Sequence, residues 1–139
     1  MSEYYLDVIF TGESEDDEIL QIMIKDDNQD TIYIEQFKPL HKKIWPDAQL
    51  RFGINQGHVQ NARSVEEAVD KVQEILQDAS KIITFDWPHI HQQFEKVGLS
   101  LPSEAVIEDV VVELALHKSN VDKRSKLGYF DQVPGPDIQ

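Results

Sequence analysis

Residues 7–22 read DVIFTGESEDDEILQI, an acidic turn between two apolar segments. Residues 4–11 are rich in β-branched and aromatic side chains, and residues 18–26 form a second apolar run, so each predicts a β-strand. Residues 31–37 alternate apolar and polar side chains, as a half-buried strand does. Because the connections between the three segments are short, we expect them to form an antiparallel meander.

The remainder of the chain alternates helix and strand signals. The predicted elements are short helices beginning at Pro46 and Asn55, a helix at 65–78, a strand at 80–86, a helix at 88–97 and a strand at 104–109. A capping box precedes the apolar stripe of the longest helix. A strand reached through a helix usually runs parallel to an earlier strand. The order therefore predicts an α/β fold with a mixed five-stranded sheet. Strands 1–3 are antiparallel, strands 4 and 5 are parallel to strand 1, and helices lie on both faces.

Composition indicates one globular domain over residues 1–130, followed by a flexible tail at 131–139. The chain has 139 residues, of which 40% are hydrophobic, which argues against disorder. It has no cysteine, which excludes a disulfide framework and a thiolate metal site. No apolar run approaches the roughly 20 residues of a membrane span. The N-terminus lacks the basic and apolar regions of a secretory signal, so we expect a cytoplasmic protein.

The negative charge is concentrated at the start of the chain. The net charge is −13, and residues 1–37 hold eleven acids against one base, Lys25. Such a field repels phosphates and gives no counterion-release affinity for nucleic acid. This concentrated negative charge either keeps the protein soluble or attracts a basic partner. One cluster of basic side chains lies near the C-terminus, at Lys118, Lys123, Arg124 and Lys126.

The opening segment resembles the DEDD-type 3′–5′ exonucleases, the family of polymerase proofreading subunits and RNase T. There, the first strand carries Asp-x-Glu-Thr-Thr-Gly, an acidic loop follows, and the second strand begins Glu-Ile-x-x-Ile. The matching residues here are Asp7, Thr11, Gly12, Glu18, Ile19 and Ile22. Residues 52–69, FGINQGHVQNARSVEEAV, resemble the family's His-Gly-Ile-Thr stretch, its short helix and the Ala-Pro-Ser before a long helix. The resemblance covers roughly residues 4–117 and implies a ribonuclease-H-like fold with two-metal nuclease chemistry.

The resemblance breaks down at the metal ligands. Two-metal nucleases need several carboxylates that converge on a pair of Mg²⁺ ions. The family's first strand supplies an Asp and a Glu two residues apart, which puts both on one face. Here Asp7 is present, but Ile9 stands at the Glu position. The second motif, His-Asn-x-x-Phe-Asp, corresponds to FDWPHIH, where His91 replaces the metal-binding Asp and Asp86 stands where the family often has Asn.

The third and final motifs are similarly incomplete. The family's Ile-Asp-Thr resembles Ile107-Glu108-Asp109, so either Glu108 or Asp109 would take the third acidic position. The last motif is a His followed five residues later by an Asp, a spacing that His117 and Asp122 share. In the family a long helical stretch separates these two motifs, whereas here fewer than ten residues do. The late helices are therefore missing, or another chain supplies them.

We expect the remnant site at Asp7, Asp86 and Asp109, because the ends of neighbouring strands meet at one edge of the sheet. These three are the candidate catalytic residues and the candidate ligands of one weakly held Mg²⁺ or Mn²⁺. The favoured interpretation is an exonuclease-like domain that has lost catalysis and acts as a binding or regulatory module. The alternatives are an active metal-dependent 3′–5′ exonuclease with a rearranged acidic site, and an acidic decoy for a basic protein. The expected partner is a protein or single-stranded nucleic acid, not a membrane. The sequence does not decide between a monomer and a homodimer.

Overall fold

The computed structural model describes residues 2–110, which form ten elements. They are β1 (Ser2–Phe10), β2 (Ile19–Lys25), β3 (Thr31–Gln36), α1 (Pro46–Phe52), α2 (Gln56–Val59), a 3₁₀ turn (Val65–Ala68), α3 (Val69–Leu76), β4 (Ala79–Thr84), α4 (Trp87–Val97) and β5 (Val106–Asp109). The predictions for His117, Asp122 and the 131–139 tail lie outside these residues.

The five strands form one mixed sheet in the order β3-β2-β1-β4-β5. β1 pairs antiparallel with β2, and β2 pairs antiparallel with β3. β4 is parallel to β1, and β5 is parallel to β4. This is the ribonuclease-H-like arrangement that the sequence predicted, and β1 lies at its centre.

One face of the sheet packs against α3 and α4 and forms the main core. Alternation along the central strands directs Tyr4 and Leu6 of β1, and Ile22 and Ile24 of β2, to this face. They meet the apolar stripes of the two helices, which consist of Val69, Val72, Leu76, Ile90 and Phe94. The helices therefore exist mainly because each buries one apolar side on the sheet.

The opposite face is covered at one end by α1 and α2. Ile9 of β1 packs there against a second apolar cluster, which consists of Leu20, Trp45, Ala48, Ile54 and Val59. The Nε1 of Trp45 donates a hydrogen bond of 2.7 Å to the carbonyl oxygen of Ile54, so the buried indole keeps a polar partner. Helices thus lie on both faces, as expected.

The predicted helix at 65–78 is divided in the structure. Its first turn, Val65–Ala68, is a 3₁₀ turn, and the α-helix extends only from Val69 to Leu76. The capping interaction is present, since the Glu67 carboxylate accepts a hydrogen bond of 3.0 Å from the Ser64 amide. Among residues 2–110, no helix combines the length and the apolar character that crossing a bilayer requires.

Candidate functional site

Asp7 lies in the middle of β1, opposite Met23 of β2, on the face away from α3 and α4. Its side chain is half-buried. Burial raises the pKa of the Asp7 carboxyl, and the positive charge of Lys25 opposes that rise only in part. Asp7 is therefore a partly desolvated acid in the centre of the sheet.

Ile9 occupies the position where the resembled family has its second acidic ligand. Its side chain contacts the apolar cluster around Trp45 and is half-buried. A hydrocarbon in this position offers no oxygen to a cation, and its contacts are those of a core residue. The structure therefore assigns Ile9 a packing role.

Asp86 and Asp109 lie next to each other at the ends of β4 and β5. The Asp109 carboxylate accepts hydrogen bonds from two backbone amides at the start of α4, those of Asp86 at 3.1 Å and Trp87 at 2.8 Å. Asp86 has left-handed backbone angles, φ 66° and ψ 58°, and its own side chain does not cap the helix. Asp109 thus satisfies amides that the first turn of α4 would otherwise leave unpaired.

The register of the sheet separates Asp7 from Asp109. Glu108 is opposite Ile83 of β4, which is opposite Tyr5 of β1, so these side chains share the face of Asp7. Asp109, one residue further along β5, projects to the other face. Glu108 instead pairs with Lys81 at 2.7 Å.

Of the predicted trio, the structure thus brings Asp86 and Asp109 together and places Asp7 apart from Asp109. Within residues 2–110, no group of three or more histidine or acidic side chains is arranged to hold a metal ion. Binding of Mg²⁺ or Mn²⁺ by Asp7, Asp86 and Asp109 stays a prediction.

His89 and His91 leave α4 in different directions, as their spacing predicts. The His89 ring lies 4.2 Å from the Phe10 ring, and its Nε2 is 3.4 Å from the Gly12 carbonyl oxygen. His91 is exposed and stacks on Trp87 with the ring centroids 5.1 Å apart. His89 therefore joins α4 to the end of β1, a contact that the sequence alone did not indicate.

Thr11 and Gly12, which match the family motif, hold the acidic loop between β1 and β2. The Thr11 hydroxyl donates to Asp17 at 2.7 Å and accepts from the Glu18 amide at 3.0 Å. Ser14 donates to the same carboxylate from its amide at 2.9 Å and its hydroxyl at 2.8 Å. A Cβ on residue 12 would lie 2.6 Å from an Asp17 carboxylate oxygen, so glycine is needed for this approach.

The electrostatics of this loop follow from the same contacts. Burial alone raises the pKa of Asp17, but the hydrogen bonds from Thr11 and Ser14 outweigh it, and the pKa lies below the usual aspartate value. Lys42 adds an ion pair at 3.7 Å. Asp17 is thus a buried, ionised acid. In the sequence Asp17 is one of several adjacent acids, and the signal that distinguishes it is its spacing from Ser14, which is typical of a local side-chain-to-backbone turn.

Glu18 connects the loop to the segment after β3. Its carboxylate accepts three backbone hydrogen bonds, from residues 40, 41 and 42, at 2.7, 2.9 and 2.6 Å. Lys96 of α4 donates to the carbonyl oxygens of Glu15 at 2.7 Å and Asp17 at 3.3 Å. The loop backbone is therefore fixed, while the side chains of Glu13, Glu15 and Asp16 remain exposed.

A groove of about 190 Å³ lies between the loop, residues 38–41 and α4. Side chains of both charges line it: the acids Asp16, Glu18 and Glu66, and the bases Lys38 and Lys96. This volume is below the roughly 300 to 1,000 Å³ that is common for small-molecule sites. The groove is therefore small for such a site.

Comparison with known proteins identifies no family. No family model matches the chain, and no curated protein matches it. Among solved structures, the family B DNA polymerase from the hyperthermophilic archaeon Pyrobaculum calidifontis aligns with a TM-score of 0.43 and 16% identity. The alignment covers 76% of this chain and 13% of the polymerase, so this chain corresponds to a small part of that protein. A similarity at this level carries no statement about activity, and the ribonuclease-H-like assignment rests on the sheet itself.

Proposed function

We propose that this protein is a catalytically inactive, nuclease-like domain that acts as a protein-binding module. The observation that carries the proposal is the packing of Ile9 against the Trp45 cluster. In a two-metal site this position would have to supply an oxygen ligand beside Asp7. Replacing Ile9 by an acidic metal ligand would put a carboxylate among apolar side chains, which would lower the free energy of unfolding.

The second support is the use of Asp109 as a helix cap. Its two oxygens already accept the amides of Asp86 and Trp87. A metal bound by Asp109 would compete with the hydrogen bonds that start α4. Without Asp109, the predicted trio is reduced to Asp7 and Asp86, fewer carboxylates than a two-metal mechanism uses.

The charge distribution favours a basic protein as the partner over nucleic acid. Residues 13–16 present exposed carboxylates on a loop whose backbone is held by α4. A fixed cluster of negative charge repels a phosphate backbone and attracts cationic side chains. Because the loop is already ordered, a partner would bind it without a large entropic cost of ordering.

Nuclease activity tests the first half of the proposal. Labelled single-stranded DNA and RNA should remain intact with Mg²⁺ or Mn²⁺, and the wild-type protein should behave like Asp7→Ala. Cleavage by the wild type that Asp7→Ala abolishes would show an active, rearranged acidic site and overturn the proposal. A trace activity that is equal in both proteins indicates a contaminating nuclease.

Partner capture tests the second half. The variant Glu13→Gln, Glu15→Gln, Asp16→Asn removes three exposed loop charges and leaves the buried Asp17 contacts intact. The matched control neutralises three exposed acids elsewhere, Asp70, Glu74 and Glu104. Proteins captured from a lysate should be lost with the loop variant and kept with the control. Equal capture by both variants would exclude the acidic loop as the contact.

A further inference from the structure

The outer side of β3 presents main-chain groups that the sheet does not use. β3 is the last strand in the sheet order, so among residues 2–110 its only strand neighbour is β2. The Phe37 amide donates to the Leu20 carbonyl oxygen at 2.8 Å, which shows that this residue points its main chain towards β2. Residues of an antiparallel strand alternate between pointing to one neighbour and to the other. The main-chain groups of Ile34 and Gln36 therefore point away from β2.

This edge is also exposed and partly apolar. No hydrogen bond from outside the sheet reaches the main chain of Ile34 or Gln36 among residues 2–110. The side chain of Ile34 is 56% exposed, and that of Ile32 is 44% exposed. An edge strand with unused amides and carbonyls and with exposed apolar side chains is a template for pairing with another strand. The register with β2 shifts beside Ile32, so the outward direction is assigned only to Ile34 and Gln36.

The two ends of β3 carry opposite charges. Asp27 and Asp30 lie in the turn before the strand, Lys38 follows the strand, and all three side chains are exposed. Antiparallel pairing of two copies brings the acidic end of each strand to the basic end of the other, whereas parallel pairing brings like charges together. The edge is therefore electrostatically complementary to a second copy of itself in the antiparallel orientation.

We propose that β3 is the dimerisation strand of this protein, and that two copies pair antiparallel along it with Ile34 on the two-fold axis. A two-fold contact uses the same surface of both copies, so a strand whose two ends attract each other meets its requirement. The two five-stranded sheets then continue into one another across the paired strands. This contact does not involve the acidic loop between β1 and β2, so it does not depend on the proposed function.

Charge and space together select the register. With Ile34 on the axis, the two exposed isoleucines are opposite each other and Lys38 comes opposite Asp30 of the second copy. An axis at Glu35 would instead put two carboxylates opposite each other, which is unfavourable. The Lys38 amide donates to the Arg63 carbonyl oxygen at 3.1 Å, so the Arg63 main chain lies beside β3 just past its end. With Ile34 on the axis, the second strand begins opposite residue 37 and does not extend past this point.

Amide exchange in the unmodified, full-length protein is the first test, because it needs no variant. Hydrogen exchange of the Ile34 and Gln36 amides should be about tenfold slower at millimolar than at micromolar protein concentration. The Tyr33 and Glu35 amides point towards β2 and are the internal controls, since pairing of two copies adds no hydrogen bond to them. Their exchange should change far less with concentration.

A substitution at the axis is the second test. Ile34→Lys places two like charges opposite each other and should raise the dissociation constant of the dimer by about tenfold or more, measured by sedimentation equilibrium. Val106→Lys is the matched control, because Val106 is 61% exposed on β5, the other edge strand. This control should associate like the wild type. Circular dichroism shows whether both variants keep the fold.

The orientation is tested by exchanging charges between the ends of the strand. Asp30→Lys and Lys38→Asp each place like charges at both ends of the strand pair, so each variant alone should associate more weakly than the wild type. In an equimolar mixture every lysine meets an aspartate again. A heterodimer of the two variants should therefore form with nearly the affinity of the wild-type dimer.

Four results would overturn the proposal. The first is a full-length protein that stays monomeric at millimolar concentration. The second is protection of the Ile34 and Gln36 amides that does not change on dilution, since another part of the same chain would then cover the edge. The third is an unchanged dimer with Ile34→Lys in a protein whose circular dichroism matches the wild type. The fourth is a mixture of Asp30→Lys and Lys38→Asp that associates no better than either variant alone. If Ile34→Lys does not fold, amide exchange and the charge variants still decide the outcome.

Discussion

Replacement of Asp17 by Asn should destabilise the protein far more than its place in an acidic loop suggests. The carboxylate is buried and accepts hydrogen bonds from the Thr11 hydroxyl and from both the amide and the hydroxyl of Ser14. An Asn side chain can keep the bond to Thr11, but its NH₂ group would face the Ser14 amide. The variant therefore loses charge-assisted bonds and gains a donor facing a donor.

The size of this destabilisation follows from the number of hydrogen bonds that Asp17→Asn removes. A hydrogen bond to a charged group contributes about 1.5 to 3 kcal/mol, and one to two such bonds are lost. We expect Asp17→Asn to lower the free energy of unfolding by about 2 to 4 kcal/mol. In urea, where the slope is about 1 to 3 kcal/mol per molar, the midpoint should fall by about 1 to 2 M. The neighbouring, exposed Asp16→Asn is the control and should change the midpoint little.

The pH dependence gives an independent check. Because the pKa of Asp17 is lower in the folded state than its ordinary value, its ionisation favours folding. That contribution is complete above the unfolded pKa of about 3.9 and is lost as the pH falls through the folded pKa. The stability difference between wild type and Asp17→Asn should therefore shrink in acid. Equal urea midpoints for Asp17→Asn and Asp16→Asn at pH 7 would contradict this explanation. So would a stability difference between wild type and Asp17→Asn that grows in acid.

The remaining predictions concern three other contacts. Gly12→Ala should cost about 1 to 3 kcal/mol, because its Cβ would lie 2.6 Å from the Asp17 carboxylate. Asp109→Asn should cost about 1 to 2 kcal/mol through the loss of the charged cap on α4, measured by thermal or urea unfolding. Trp45→Phe should cost about 1 to 3 kcal/mol, since it leaves the buried Ile54 carbonyl oxygen without its donor.

Each of these variants has a result that would contradict its explanation. For Gly12→Ala it is a cost no larger than that of Gly57→Ala, whose Cβ meets only the Asn55 side chain at 3.2 Å. For Asp109→Asn it is unchanged amide exchange in the first turn of α4. For Trp45→Phe it is wild-type stability with an unchanged unfolding slope.

The sheet could be predicted from the sequence because its signals are local. Residues 31–37 alternate apolar and polar side chains, and the structure places β3 at Thr31–Gln36. The crossover through α3 indicated that β4 is parallel to β1, which the structure confirms. The 3₁₀ turn at Val65–Ala68 was not predicted, because a capping box and an apolar stripe suit either kind of helix at its first turn.

The candidate site was less predictable, because it depends on register. Glu108 and Asp109 are adjacent, so a shift of one residue exchanges the faces to which they point. Only the pairing of β4 with β5 shows that Glu108 shares the face of Asp7 and that Asp109 caps α4. The role of Thr11 in holding Asp17 could not be predicted either, because it depends on how the loop folds back over six residues.

The central position of β1 has a consequence for how the protein is made. In this sheet β1 is the strand that joins the β2–β3 hairpin to the β4–β5 pair. Among the five strands it is synthesised first, yet its parallel partner Ala79–Thr84 lies nearly eighty residues later. A nascent chain thus holds one edge of β1 unpaired until residues 79–84 have left the ribosome. During that interval the N-terminal hairpin is the part most exposed to aggregation, and its dense negative charge counteracts that risk.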